Sequence, residues 1–177
     1  MTMEHPIAPP RFSGDEEFVT FFNQEWPRLL AYCRAAFDLS LPAAEDVAQE
    51  SFLNVYRRWD TISTPSAYLR KVATRLAIKR PPEDPRDDVA DLVADGIPSD
   101  DRAEIRQVVQ QALRQLPSQQ RAVFALQLDD YPDAEIAQIL GLTNATVRSY
   151  RRHARQTLAR WHRQQLRELQ RTEEGNR

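Results

Sequence analysis

The sequence predicts an all-α chain: two small helical domains joined by an acidic linker, the C-terminal one containing a helix-turn-helix. Three observations predict it. Apolar residues recur at spacings of three and four, with no strand-like alternation and no internal repeat. The 12 prolines punctuate these periodic stretches, while only 4 of 177 residues are glycine. Charge is also segregated along the chain. Residues 1–80 carry ten basic and ten acidic side chains, residues 81–104 two and nine, and residues 105–177 twelve and seven. The net charge of -2 therefore hides a basic C-terminal part, in which residues 146–171 hold eight arginines against one acid, Glu168. Blocks of this kind imply a polyanionic partner for that part.

Residues 1–14 lack periodicity and read as a flexible tail. Asp15 is placed to cap a first helix bearing Phe18, Phe22, Leu29 and Cys33, which Pro27 should kink or divide. Pro42 suits the first turn of a second helix, roughly 42–59, with the stripe Ala44, Val47, Ser51, Val55 and Trp59. A polar loop from Asp60 leads to Pro65 and a third helix over about 65–80, with Tyr68, Leu69, Val72 and Leu76 inward; residues 15–80 form the first domain. The linker, 81–100, is acidic and proline-containing. The second domain, 101–165, opens on a capping box, Asp101 with Glu104. Ile105, Val108, Ala112 and Leu116 mark its first inner face. Pro117 and Ser118 start a helix to about Leu128, Pro132 starts another, and Thr143 caps a last one running past Trp161. Residues 166–177 remain as a C-terminal tail.

The strongest local signal lies between Asp133 and Tyr150. Ile136, Ala137 and Leu140 line one short helix, and the small Ala137 allows a close crossing. Gly141 suits a left-handed bend, where a Cβ would be penalised. Thr143 can cap the next helix, in which Val147, Tyr150, Ala154, Leu158 and Trp161 form the buried stripe. Arg148, Arg151, Arg152 and Arg155 occupy the other side. Like charges at helical spacing cost roughly 0.2–0.5 kcal/mol per pair, and a phosphate backbone removes that cost with release of counterions. Arginine also reads guanine edges in the major groove, which admits a helix. Contact with duplex DNA follows, with Thr143, Asn144, Thr146 and Ser149 within reach of bases or phosphates.

The run from Leu116 to Phe124, followed by Ala134-Glu-Ile-Ala and Thr146-Val-Arg-Ser, closely resembles the C-terminal domain of the extracytoplasmic-function (ECF, group IV) sigma factors of the sigma-70 family. The stretch Ala44 to Tyr56 resembles that family's other domain, whose hallmark Asp-x-x-Gln-Glu falls on Asp46, Gln49 and Glu50. Their i, i+3, i+4 spacing places the three on one helix face. The resemblance implies that this face docks on the clamp helices of the RNA polymerase β′ subunit, with the β flap as a further polymerase contact. It implies that the second domain binds the −35 promoter element. It implies, too, that the loop and helix after the second helix engage the melted −10 strand. Candidate residues there are Arg57, Arg58, Thr61, Ser63, Thr64, Arg70, Lys71 and Arg75, since a flipped base needs a pocket and cations to hold the displaced backbone. Trp59 and Tyr68 fall on apolar stripes and read as core. The linker would run through the polymerase channels, and an anti-sigma factor is the implied regulator.

Two departures from the family pattern stand out. Thr74-Arg-Leu-Ala-Ile-Lys79 replaces the usual Arg-Asn-Leu-Ala-x-Asp, which favours backbone contacts over base reading at −10. Pro132-Asp133 replaces Ser-Tyr, which calls for another cap on that helix, Asp130 being placed for it.

The lone Cys33 permits no internal disulfide and suits a reducing compartment. No apolar run approaches the about 20 residues of a membrane span, and with no basic segment followed by an apolar one at the N-terminus, secretion is not expected. A cytoplasmic protein without membrane insertion is expected. His5, His153 and His162 are scattered without metal-ligand spacing, and no phosphate-cradling glycine loop occurs. Neither an enzyme nor a cofactor is expected. Two other readings stay open on the residues alone: a stand-alone repressor or activator, and an interaction module that does not bind DNA.

Overall fold

The computed structural model describes residues 12–80 and 108–175, and these are helical throughout apart from short connections. Helix α1 spans Phe12–Phe37, α2 Leu41–Tyr56 and α3 Pro65–Lys79, with a short 3-10 turn at Trp59–Thr61. Residues 108–114 form α4. Then come α5 (Ser118–Leu128), α6 (Asp133–Leu140) and α7 (Asn144–Gly175). The linker 81–100 and the capping box Asp101–Glu104 lie outside the described residues.

Helix α1 runs unbroken through Pro27, so of the expected kink or division the division does not occur. Proline at that point removes one backbone donor and costs about 3 kcal/mol. The turn that follows it, however, buries Leu29, Tyr32, Cys33 and Ala36, and full burial of each large apolar side chain returns about 1.5–3 kcal/mol. Because the helix starts at Phe12, Asp15 sits in its first turn rather than at its cap. At α2 the Ser40 side chain accepts from the Ala43 amide at 3.4 Å, and Pro42 falls in the first turn as expected. The stripe Ala44, Val47, Ser51 and Val55 is wholly buried. Seven rings (Phe18, Phe21, Phe22, Trp26, Phe52, Tyr56 and Trp59) interlock at centroid separations of 4.7–6.5 Å. They tie α1 to the end of α2 and anchor the loop that begins at Arg57. Trp59 and Tyr68 are half-buried against the core.

Two inner faces differ from expectation. On α3 the buried positions are Leu69, Arg70, Ala73, Thr74 and Ala77, while Tyr68, Val72 and Leu76 are only half-buried. The cause is that α3 packs on three neighbours, α1, α2 and α6, and the small side chains of Ala73 and Ala77 admit close approach. On α4, Val108 is exposed and Leu113 joins Leu116 in the core. One continuous core connects the two halves of the chain, running from Leu29 in α1 through Val123 and Ile136 to Val147 in α7.

Candidate nucleic-acid interface and domain contact

Helix α6 starts without a side-chain cap: Pro132 holds the N-cap position, and its carbonyl accepts from Glu135 and Ile136 at 2.9 and 3.0 Å. Asp130 does not serve as that cap. It stands in the left-handed region (φ 61°), which aspartate tolerates, and turns the chain out of α5. Gly141 ends α6 at φ 68°, with the Leu142 amide returning to the Ala137 carbonyl at 2.9 Å. A Cβ here would meet no neighbour, so the backbone angle alone calls for glycine. Thr143 Oγ1 then accepts from the Thr146 amide at 3.1 Å, capping α7.

From this start α7 buries Val147 and Ala154 and half-buries Tyr150, Leu158 and Trp161. The Tyr150 hydroxyl donates to Gln119 on α5 at 2.7 Å, and Arg151 donates to Asp133 on α6 at 3.0 Å. Arg151 is thereby turned toward its own motif, fixing the crossing of the two helices. Arg148, Arg152 and Arg155 stand exposed around a shallow groove with Ala145, Ser149, Arg151 and Gln156, and among the described residues no carboxylate lines it. Thr143 and Asn144 are exposed at its N-terminal end, with Ser149 and Thr146 half-buried. This is an open, cationic face on a rigid helix. Helix α7 continues through the residues expected as a tail, to Gly175, with Arg160, Arg163, Arg167 and Arg171 in solvent.

On the first half, Arg57, Arg58, Thr61, Ser63, Thr64 and Arg75 are exposed and Lys71 is half-buried. Arg70 is placed differently: its side chain is 0% exposed. Its Nε and Nη2 donate to Asp129 Oδ2 at 3.1 and 2.5 Å, across to the end of α5. Its Nη1 lies 3.0 Å from Glu25 Oε2 on α1, without hydrogen-bonding geometry. The guanidinium also rests over the rings of Tyr32 and Tyr131, 5.7 and 6.0 Å from their centroids. Burial opposes its charge, but the carboxylates of Asp129 and Glu25 outweigh that, so the group is held firmly protonated. Arg28, 3.5 Å from Glu25 and 3.6 Å from Asp129, completes a cluster of two cations and two anions. Nearby, the Tyr32 hydroxyl lies 2.7 Å from Thr74 Oγ1, which donates to the Arg70 carbonyl.

Asp46, Gln49 and Glu50 share an exposed face of α2, as the spacing implied. Two apolar residues extend that face, Leu53 (54% exposed) and Tyr56 (50%). They escaped the sequence reading because the acidic hallmark drew attention to charge alone, although Leu53 follows Glu50 at helical spacing. Asp46 pairs with Arg80 at 3.2 Å. The Tyr56 hydroxyl donates to Asp15 at 3.0 Å, which raises its pKa. Glu25 and Asp129 were missed as well. The available signal was an arginine, Arg70, set among Leu69, Ala73 and Ala77 on a stripe that is otherwise apolar. Among the described residues no cluster of His, Cys, Asp and Glu could hold a metal, and no helix is long and apolar enough to cross a membrane.

Comparison with known proteins gives this geometry a family. The profile for sigma-70 region 2 matches residues 21–80, and that for sigma-70 region 4 matches 106–158. Among solved structures, CnrH in complex with the cytosolic domain of CnrY shares the fold at a TM-score of 0.61 and 19% identity, covering 83% of this chain and 88% of that one. No curated protein matches. The chain belongs to the sigma-70 family and is a transcription initiation factor. The two matched regions stand in the order region 2, then region 4.

Proposed function

We propose that residues 101–165 bind the −35 duplex through the α7 face of Arg148, Arg152 and Arg155, and that residues 15–80 bind core polymerase and the melted −10 strand. The observation that carries this reading is the exposed arginine face on a capped, well-packed helix-turn-helix, with no carboxylate in its groove among the described residues. Thr143, Asn144, Thr146 and Ser149 lie along the N-terminal part of α7, the part that such motifs present to base edges. Arg151 acts as a positioning residue through Asp133.

The α2 face offers the β′ clamp a polar stretch, Asp46, Gln49 and Glu50, continued by the exposed apolar side chains of Leu53 and Tyr56. The β flap is taken as the second polymerase contact, following the family. The exposed loop Thr61–Thr64, with Arg57 and Arg58 beside it, is where a single strand would lie. The chain performs no catalysis itself and works in the cytoplasm. Likeness to CnrH, solved bound to the cytosolic domain of CnrY, supports an anti-sigma factor as a further partner.

Copurification with core polymerase, followed by transcription from a promoter library, tests the reading. Wild-type chain should bind the core and direct discrete start sites. D46A combined with Q49A should weaken core binding at least tenfold while leaving the helical fold intact. Undiminished core binding by that double variant would overturn the assignment of the α2 face.

A further inference from the structure

The arginines of α7 do not stop where its packing does. We infer that Arg160, Arg163, Arg167 and Arg171 form a phosphate-binding arm that grips the duplex backbone beside the −35 element, outside the bases the helix reads. The inference deepens the proposed −35 binding and rests on it for the placing of the helix, but the arm has a readout of its own.

Residues 146–171 hold eight arginines, and all eight fall on two adjacent rows at i, i+4 spacing. Arg148, Arg152 and Arg160 make one row, with Gln156 in its gap. Arg151, Arg155, Arg163, Arg167 and Arg171 make the other, with Ala159 in its gap. At 3.6 residues per turn both rows run along the side of α7 away from Val147, Ala154 and Leu158. The helix carries them without a break from Asn144 to Gly175. The cationic face of the helix-turn-helix thus continues for about four further turns beyond Arg155.

Packing does not account for the continuation. From His162 to Arg171 every described side chain is exposed except Gln165, which is half-buried. The region 4 match ends at residue 158, so these four arginines lie past the shared motif. A helix that needed only solubility would intersperse charges of both signs. Here Glu168 is the one acid between Thr146 and Arg171, and its carboxylate accepts from Gln164 and Gln165 at 3.0 and 3.3 Å. Glu173 and Glu174 come only after the last arginine of the row. Arginines at i, i+4 repel one another, and a polyanion along the rows removes that cost.

Distance selects the part of the duplex that the arm meets. Arg148 to Arg155 cover about 10 Å of helix axis, close to the roughly 12 Å width of the major groove. Arg160 and Arg163 lie about 8 and 12 Å further on, at the strand that bounds the groove. Arg167 and Arg171 lie about 18 and 24 Å on, past it. Base edges are out of reach from there, and what a duplex offers instead is phosphate oxygens, which the guanidinium fork takes bidentately. An acidic protein surface would offer carboxylates to the same fork. Continuity with the −35 face favours the duplex that the first turns of the helix already hold.

The probes are a duplex selected by the full chain from a random pool, and the same duplex with neutral methylphosphonates replacing the phosphates that flank the selected element. The variant R160Q/R163Q/R167Q/R171Q should bind the native duplex about ten- to a hundredfold more weakly, with a salt slope lower by about 2–4, since each phosphate held adds about 0.9. Its preference for the selected sequence over a scrambled one should be unchanged, because phosphate contacts carry no sequence information. Wild type should suffer the same loss on the neutralised duplex, and the variant no further loss there. R163Q with R167Q, at about half the change in slope, serves if the quadruple variant loses helicity. Undiminished DNA binding by the variant would overturn the arm, and an accompanying loss of core-polymerase binding would give these arginines to an acidic protein surface. A variant that loses as much again on the neutralised duplex would overturn it too, leaving only a diffuse effect of charge. If R148A binds the selected duplex as wild type does while the quadruple variant behaves as expected, the arm stands and the −35 reading falls.

Discussion

The two faces proposed to meet nucleic acid are built from the same residue types but have opposite availability. On α7 the arginines lie across the helix from its packed stripe, so Arg148, Arg152 and Arg155 remain in solvent however tightly Val147 and Ala154 are buried. On α3 the helix is packed on three neighbours, and Arg70 is drawn into the contact while Arg75 stays outside. An arginine's place in a sequence motif thus says little about its accessibility. What matters is how many sides of its helix are covered.

That contrast can be broken or sharpened by experiment, beginning with the scaffold beneath the first face. Phe52 is 3% exposed and touches four rings of the aromatic cluster. F52A should cost about 3–5 kcal/mol of stability, measured by denaturant unfolding, and should loosen the loop after Arg57 while sparing the α7 face. If F52A leaves stability within about 1 kcal/mol of wild type, the rings do not anchor that loop.

Alkaline pH should act next. Burial pushes the Cys33 thiol up to about 12 and the Tyr131 hydroxyl up to about 12, and Tyr32 is raised in the same way. These are acids that the folded chain holds protonated. Their contribution is complete below pH 9–10, where the unfolded groups also keep their protons, and is lost as pH rises toward 12. A melting series should show a fall beginning near pH 9. In C33A it should begin about one unit later, near the ordinary tyrosine value. A flat profile between pH 9 and 11 would contradict the burial of these three groups.

The helices were largely legible in the sequence, and so was the helix-turn-helix, because Gly141, Thr143 and the stripe from Val147 to Trp161 are local devices with local outcomes. Errors arose where tertiary contact outweighed a local rule. Pro27 did not divide α1, since the turn beyond it buries Leu29 and Cys33. The inward face of α3 moved to Arg70, Ala73 and Ala77 because α1, α2 and α6 all pack on the helix. Asp130 does not cap α6 because its backbone turns the other way. The contact between the halves had no local signature, for Glu25, Arg70 and Asp129 are far apart in the chain and meet only once it has folded.

The most direct test of the contrast is binding of the free chain to a −35 duplex across a range of salt. Arg148 and Arg152 are exposed with the two halves in contact, so wild type should bind this duplex without polymerase. R148A or R152A should each lose about 1–3 kcal/mol where a base is read, or lower the salt slope by about one where a phosphate is held. R70A should bind this duplex as wild type does. A loss on R70A equal to that on R148A, or undiminished binding by R148A and R152A, would contradict the division between an open face and a closed one.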